Sequence, residues 1–498
     1  MAAYEFGGVR FMYDLFVPDC REALLPLVVC LKADGEDGIA AYFTGEKNQK
    51  EHPSFVLVPQ AADWTDAQNA QALQRLIFDV RRQHRMDICR TYLAGHGPGA
   101  ADVWHMLGSY PRLFAGAIAV GGCGDPYRAR NAKFTPVWAF HAADDPHIAV
   151  SAETTLRGRR FLAGSRRLIA ALRTAGAEMA RYTETGTDAE ELPAQVFSDA
   201  AVLGWLYRQD RKKVLRTELI RPGVYRLDDW FMSSCYLITG TERALLVDTT
   251  MAHADLISAV RSLTNLPVSL AITHPHLDHM LHAYAFDTVY LHERDAAQLD
   301  RYLENMTSML RGNTGLDILT DMTPDFLEDA MHVPGAVPLR DGDVIDLGGG
   351  VIVEMMELGG HMKNHVVFAD HGHRCVFTGD AVGSGFVVGV NYPKDRFQET
   401  YQWYRDNLAR FIARMAPLGE YTYFGGHFIQ ENSCDDPMQE DYLNGQSTYF
   451  VPLSFDVVLD MKTLCDELLC GMHDDRIDPG TGRFFITHGS ASLDGRPL

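Results

Sequence analysis

His274-Pro275-His276-Leu277-Asp278-His279 places four metal-competent side chains within six residues, directly after the apolar run Leu266 to Ile272. The run reads as a buried strand whose C-terminal end opens into a ligand-bearing loop. In an extended segment residues two apart point the same way, so His274 and His276 can grip one ion. Asp278 and His279 follow after the chain turns and can serve a second ion beside it. Imidazole with carboxylate suits zinc, iron or manganese and leaves room for a bound water.

Three further segments repeat this layout. Gly359-Gly360-His361 follows the strand-like Val351 to Met356, Phe377-Thr378-Gly379-Asp380 follows Val376 in another apolar run, and Gly425-Gly426-His427 follows Tyr421 to Phe424. Each sets a ligand-type residue just past a short β-like segment, and each follows glycine, which permits tight turns. With these residues the chain resembles the metallo-β-lactamase superfamily, whose pattern is HxHxDH, then His, then Asp, then His. The resemblance covers about residues 221 to 432 and fills all seven ligand positions. It implies an αββα sandwich in which His274, His276 and His361 hold a first divalent metal ion. Asp278, His279 and His427 hold a second, and Asp380 bridges the two.

Two cations close together lower the pKa of a shared water, so that hydroxide exists near neutral pH and can attack a carbonyl or phosphoryl centre. The resemblance also implies that Asp278 orients this nucleophile or takes its proton. Zinc is the first expectation for the metal, since it needs no redox partner; manganese and iron fit the same residues. Asp380 at the bridging position, where antibiotic-resistance lactamases carry cysteine, points to the broader hydrolase branch. Met362-Lys363-Asn364 departs from the family's usual Pro-Gly-His-Thr-Pro-Gly run, a change that touches the pocket wall more than the ligand. Among other histidines, His282 and His292 read as packed or hydrogen-bonded residues. His365, four residues past His361, and Tyr392, in the loop after Asp380, are pocket candidates.

The first two hundred residues follow another rhythm. Apolar runs at Leu25 to Leu31, Phe55 to Val58, Thr91 to Ala94, Ala115 to Val120 and Val137 to Phe140 alternate with helix-like stretches, which predicts a parallel sheet flanked by helices. Asn69 to Arg82 carries amphipathic spacing at Leu73, Leu76, Ile77 and Val80. His52 to Gln60, Tyr110 to Ala115 and Pro136 to His141 resemble the α/β-hydrolase esterases. In that fold a nucleophilic serine sits in Gly-x-Ser-x-Gly at a strained strand-to-helix turn. Here the matching segment is Gly95-His96-Gly97-Pro98-Gly99, and Gly97 carries no nucleophile. The oxyanion-hole pair falls on Lys32-Ala33, the late histidine on Thr187, and only the acid survives, as Asp145. An acid without base or nucleophile performs no acyl transfer. The expectation is a pseudo-esterase whose remaining roles are shaping or capping the metal site, binding part of a substrate, or contacting a second copy in a homo-oligomer.

The outline is therefore α/β throughout: an α/β-hydrolase-like parallel-sheet domain over 1–210, a linker over 211–220, a metallo-β-lactamase-fold catalytic domain over 221–432, and an extension over 433–498 packed on it. A chain of 498 residues accommodates two such cores. The formal net charge of −21, with no sustained basic run beyond Arg208 to Lys213, argues against nucleic acid as substrate. Nine scattered cysteines without a CxxC pair fit reduced thiols in a cytoplasm. Met1 to Pro18 carries Glu5, Arg10 and Asp14 with no continuous apolar core, so no signal peptide is expected, and no stretch approaches about eighteen apolar residues, so no membrane span is expected. The functional expectation is a dinuclear hydrolase of a small-molecule ester, thioester, lactone or lactam. Its rivals are a phosphodiesterase or sulfatase at the same site, a mononuclear-iron sulfur dioxygenase, and a non-catalytic scaffold.

Overall fold

The computed structural model describes the chain except residues 20–23, 32–37, 61–62, 85, 112, 152, 157–159, 230–232, 252–255, 312–327, 334, 384–388 and 428–452. Lys32-Ala33 lies outside the described residues. Met1–Arg211 forms one compact unit, and the described residues from Lys212 onward form another.

The first unit is built on eight strands: β1 (Ala2–Phe6), β2 (Val9–Phe16), β3 (Leu25–Leu31), β4 (Phe55–Gln60), β5 (Met86–His96), β6 (Gly116–Val120), β7 (Val137–Ala142) and β8 (Ala180–Thr185). Their order is β1-β2-β4-β3-β5-β6-β7-β8, antiparallel through the first three and parallel from β4 onward. The apolar run of β3 is buried along its whole length because both faces are covered. Leu27, Val29 and Leu31 enter one core while Val28 and Cys30 enter the other. Helix α1 (Ala67–Gln83) starts where Asp66 accepts the N–H groups of Gln68 and Asn69, and it buries Leu73, Leu76, Ile77 and Val80. Helix α2 (Pro98–Ser109) follows β5 directly through Gly97, with proline in its first turn.

In the second unit, seven strands form one sheet: β9 (Arg216–Arg221), β10 (Val224–Asp228), β11 (Ser234–Thr239), β12 (Ala244–Val247), β13 (Val268–Ala271), β14 (Val289–His292) and β15 (Ala336–Leu339), in that order. Part of the stretch read as linker is thus the edge strand β9, paired antiparallel with β10. A five-stranded sheet joins β16 (Val344–Asp346), β17 (Ile352–Glu357), β18 (Val366–Asp370), β19 (Cys375–Gly379) and β21 (Thr422–Gly425); between the last two in sequence comes β20 (Gly389–Tyr392). The two sheets share a core in which Val224, Tyr236, Val247 and Ala271 meet Val353, Met355, Val366, Phe368 and Phe377. Alternate residues of the five-stranded sheet, Met356, Val367, Ala369 and Val376, face a second core. Helices α3 (Phe397–Met415) and α4 (Asp456–Leu469) fill it, together with a small sheet of β20, β22 (Phe484–His488) and β23 (Ala491–Pro497). Among the described residues no helix is long and apolar enough to cross a membrane.

Candidate metal centre

Strands β13, β17, β19 and β21 each end just before a loop that carries the histidines and aspartates singled out above. Pairing fixes their ends: β19 and β21 run parallel with Gly379 opposite Gly425, and β17 runs antiparallel to β18, as β18 does to β19. Their C-termini therefore lie along one edge of the sheet. A backbone bond of 3.0 Å from Val366 N to the Thr273 carbonyl ties this sheet to the loop after β13.

Two groups of side chains converge there. His274, His276 and His361 form one; Asp278, His279, Asp380 and His427 form the other, and within each the candidate ligand atoms lie within 4.8 Å of one another. Nε2 of His274 and Nε2 of His361 each lie 3.0 Å from Nδ1 of His276. In the second group His427 Nε2 is 3.1 Å from Asp278 Oδ2 and 3.4 Å from Asp380 Oδ1, and His279 Nε2 is 3.4 and 3.5 Å from the same oxygens. Asp380 turns its other oxygen, Oδ2, toward the first group, 3.7 Å from His361 and 3.9 Å from His274. The cluster is buried except at His276 and Asp278, which are half-buried, the Asp278 side chain keeping 21% of its exposure.

Glycine is required at this edge for its size. Gly379, before Asp380, has φ of 50° and keeps the tight-turn reason, but Gly359, Gly360 and Gly426 do not have positive φ, and there that reason gives way to close packing. A Cβ on Gly426 would lie 2.6 Å from His279 Cε1 and 2.7 Å from Asp380 Oδ1, and one on Gly360 would strike the Tyr404 ring of α3.

The protonation pattern, assigned from hydrogen-bond partners, tests whether these residues fit divalent ions. His361 donates Nδ1–H to the Gly389 carbonyl at 2.6 Å, and His279 donates Nδ1–H to Asp248 Oδ2 at 3.0 Å. His274 Nδ1 lies 3.1 Å from Thr273 Oγ1, whose own proton goes to Asp248 Oδ2 at 2.8 Å. His274 and His361 therefore present bare Nε2 atoms to the cluster, and His279 directs its Nε2 there between Asp278 and Asp380, whose charges favour a proton on it until an ion displaces it. In the first group these lone pairs face His276 Nδ1 at 3.0 Å, so three ring nitrogens converge on a point that either one shared proton or a cation can fill. The donor set fits divalent metal ions.

The electrostatics of the two groups differ. Burial, reinforced by the neighbouring His361, pushes the His276 imidazolium down to about 3, and burial holds His274 well below the usual range. In the second group burial opposes charge on His427, yet Asp380 and Asp278 override it and push the ring up to about 10. Burial likewise disfavours the Asp380 and Asp278 carboxylates, but the adjacent histidines hold both well below the ordinary carboxylate range. A cation entering the second group displaces protons; one entering the first does not.

Sequence reading did not single out Asp248. It follows β12 with φ of 60°, a conformation that aspartate tolerates better than most residues, and it accepts from Thr273 N, Thr273 Oγ1 and His279 Nδ1. The signal was a lone aspartate closing the apolar run Ala244–Val247. His365 is fully buried, stacked on His274 at 4.6 Å between ring centroids, with its Nε2 accepting the Asp380 N–H at 3.2 Å. Tyr392 is also buried, packed on Phe397, Tyr401 and Phe484. His292 pairs with Glu357 at 2.9 Å. Asn364, in the segment that departs from the family run, donates to Asp295 Oδ1 at 2.8 Å and anchors the loop between His361 and His365.

In the first unit Gly97 adopts φ 53° and ψ −121° between β5 and α2, with no atom within 4 Å of where its Cβ would stand. Asp145 Oδ1 accepts the N–H groups of His147 and Ile148, and its Oδ2 is 3.3 Å from His141 Nε2. Thr187 shares its hydroxyl with Thr185 and Gln195.

Residues 228–427 match the family model for the metallo-beta-lactamase superfamily. Among curated relatives, the acyl-coenzyme A thioesterases MBLAC2 of Homo sapiens and Bos taurus are 24% and 25% identical over 188 residues, 33% of this chain. The chain spans 66% of their length. The hydroxyacylglutathione hydrolase GloC of Haemophilus influenzae is 26% identical over 201 residues, 39% of this chain and 89% of that protein. Among solved structures, a thermostable esterase aligns at 29% identity with a TM-score of 0.36, covering 42% of this chain and 63% of that one. A metallo-beta-lactamase family protein from Thermus thermophilus aligns at 20% identity with a TM-score of 0.34, covering 52% and 82%. The family match and the histidine–aspartate cluster identify residues 228–427 as a metallo-β-lactamase superfamily hydrolase domain.

Proposed function

We propose that the protein hydrolyses a small-molecule acyl thioester at a pair of divalent metal ions, zinc first among them, held by the two side-chain groups. The observation that carries this reading is the position of Asp380, one carboxylate oxygen turned to each group. Ions bound there would supply Lewis acidity and a nucleophilic water at neutral pH. The chain's own part is to hold His274, His276 and His361 as neutral donors and Asp278, His279, Asp380 and His427 as the charged set. Asp278, the most exposed of the carboxylates in the cluster, faces the entering substrate and orients the attacking water. Burial of His274, His279, His361, Asp380 and His427 keeps bulk solvent from the reacting atoms. A thioester heads the list of esters, lactones and lactams because a thioesterase and a hydroxyacylglutathione hydrolase are among the relatives matched.

The first unit is an α/β-hydrolase-like domain without acyl-transfer chemistry. Its strand order and the Gly97 turn support the likeness. Thr187 offers no base, and Asp145 is engaged by His141 and the loop after it. Seven described cysteines are free, six of them buried, in keeping with a cytoplasmic setting.

The test is turnover of an acyl-coenzyme A, an S-acyl glutathione, an aryl ester, a lactone, a β-lactam and a bis-aryl phosphodiester by the wild type and by Asp278→Ala. Thioester turnover abolished by the substitution supports the reading. Turnover confined to the phosphodiester, or surviving Asp278→Ala, refutes it.

A further inference from the structure

The last strand of the chain lies beyond the stretch matched to the superfamily, yet it reaches the first histidine group. Strand β23 is the centre of the small sheet, antiparallel to β22 and parallel to β20, with Gly389 opposite Asp494 and Tyr392 opposite Pro497. It is anchored from two sides. Ala491 and Leu493 are fully buried in the core that α3 and α4 fill, and Asp460 of α4 accepts Ser490 N and Oγ at 2.7 and 2.9 Å.

Alternation along the strands decides what this does to the site. Ser492 N donates to the Gly383 carbonyl at 3.2 Å and Leu498 N to the Tyr392 carbonyl at 2.9 Å, so the even-numbered amides of β23 face β20. If the Tyr392 carbonyl faces β23, that of Val390 does too, and the Gly389 carbonyl points to the opposite edge. There it receives His361 Nδ1–H at 2.6 Å. The Arg496 guanidinium, held by Asp494 at 2.7 Å, covers Gly389 so closely that a Cβ would lie 2.6 Å from its Cζ. The tail thus grips the chain at Gly383, three residues past Asp380, and again from Gly389 on.

We propose that β23 is a positioning element of the metal centre: by fixing β20 it aims the Gly389 carbonyl at His361, and so sets the tautomer in which His361 Nε2 is a ligand. This rests on the metal reading above. Acceptors behind metal-binding histidines are commonly worth tenfold to hundredfold in metal affinity. A strand that only closed a core would weaken both ions alike.

The experiment is zinc stoichiometry and affinity, by chelator competition on apo protein, for the wild type, a chain ending at Ser490, Arg496→Pro, His361→Ala, and Arg496→Pro with His361→Ala. Arg496→Pro removes an amide facing β20 and the side chain over Gly389, yet leaves Leu493 in the core. The expected result is two ions for the wild type and, in the truncated chain and Arg496→Pro, one ion weakened about tenfold to hundredfold with the other within about threefold. Arg496→Pro adds nothing further in the His361→Ala background. Unchanged affinities, equal weakening of both ions, or full additivity with His361→Ala overturn the role of β23. If the truncated chain does not fold, Arg496→Pro decides. A wild type that takes no zinc removes the metal reading itself, whereas a wild type with two ions and indifferent variants removes only this proposal.

Discussion

Replacing Asp248 by asparagine should cost metal affinity through a ring it does not share with any ion. Asp248 accepts Thr273 N on Oδ1 at 2.7 Å, and on Oδ2 both the Thr273 hydroxyl at 2.8 Å and His279 Nδ1 at 3.0 Å. Asparagine keeps the Thr273 N bond if its carbonyl takes the Oδ1 position. Its NH2 group then faces His279 Nδ1, and two donors cannot share that contact. A metal on Nε2, the atom that faces Asp278 and Asp380, requires the ring to keep its remaining proton on Nδ1, against that NH2 group. A lost carboxylate behind a metal-binding histidine costs tenfold to hundredfold in affinity, or about 1.4 to 2.7 kcal/mol. Chelator competition on apo Asp248→Asn should show one ion of two weakened by that factor, the ion of the Asp278–His279–Asp380–His427 group. Two ions bound as tightly as in the wild type would refute both the tautomer assignment and the place of His279 in the site.

Gly426→Ala should lower turnover about hundredfold, the scale of an ångström-sized misplacement of catalytic groups, since its Cβ would lie 2.6 Å from His279 Cε1 and 2.7 Å from Asp380 Oδ1; wild-type kcat/KM in that variant would contradict the packing described. In the first unit, burial, with the Asp63 charge added, pushes the Asp102 carboxyl up to about 7 from 3.8. The native state then holds a proton that the unfolded chain releases, so this group's contribution to stability is full below about pH 4 and is lost as pH rises toward 7, a change of up to about 4 kcal/mol. The melting-temperature advantage of Asp102→Asn over the wild type should therefore widen between about pH 5 and pH 8, and a constant gap would show that the carboxyl is not raised. Gly97→Ser in an Asp278→Ala background should stay silent toward aryl esters, although the Cβ has open space; measurable hydrolysis would reveal a base that Thr187 does not provide.

The site was legible because its residues obey local rules. Each of the four loops follows an apolar strand, and strand ends are where a sheet can deliver several side chains to one place, so His274, His361, Asp380 and His427 could be found without knowing which strands pair. Elements whose burial is one-sided or periodic, such as α1, were legible for the same reason. The strand β9 was hidden in a presumed linker because Arg-Thr-Glu-Leu-Ile-Arg has no apolar alternation; it is an edge strand with Leu219 exposed at 61%. What local rules cannot reach is the hydrogen-bond partner set by tertiary placement. His365 and Tyr392 were read from sequence distance to the ligands, and both lie buried in packing contacts.

Asp248 and Gly389 make the same point from the other side. Neither carries a motif: one is an aspartate after a four-residue strand, the other a glycine beside residues 384–388, which lie outside the described set. Their partners, His279 and His361, are 31 and 28 residues away in sequence. What they supply is a single oxygen each, placed behind an imidazole. That oxygen decides which ring nitrogen keeps the proton, and so whether the histidine is a ligand at all. The ligand pattern names the atoms that can bind a metal; the folded chain, down to its last strand, decides which of them present a lone pair.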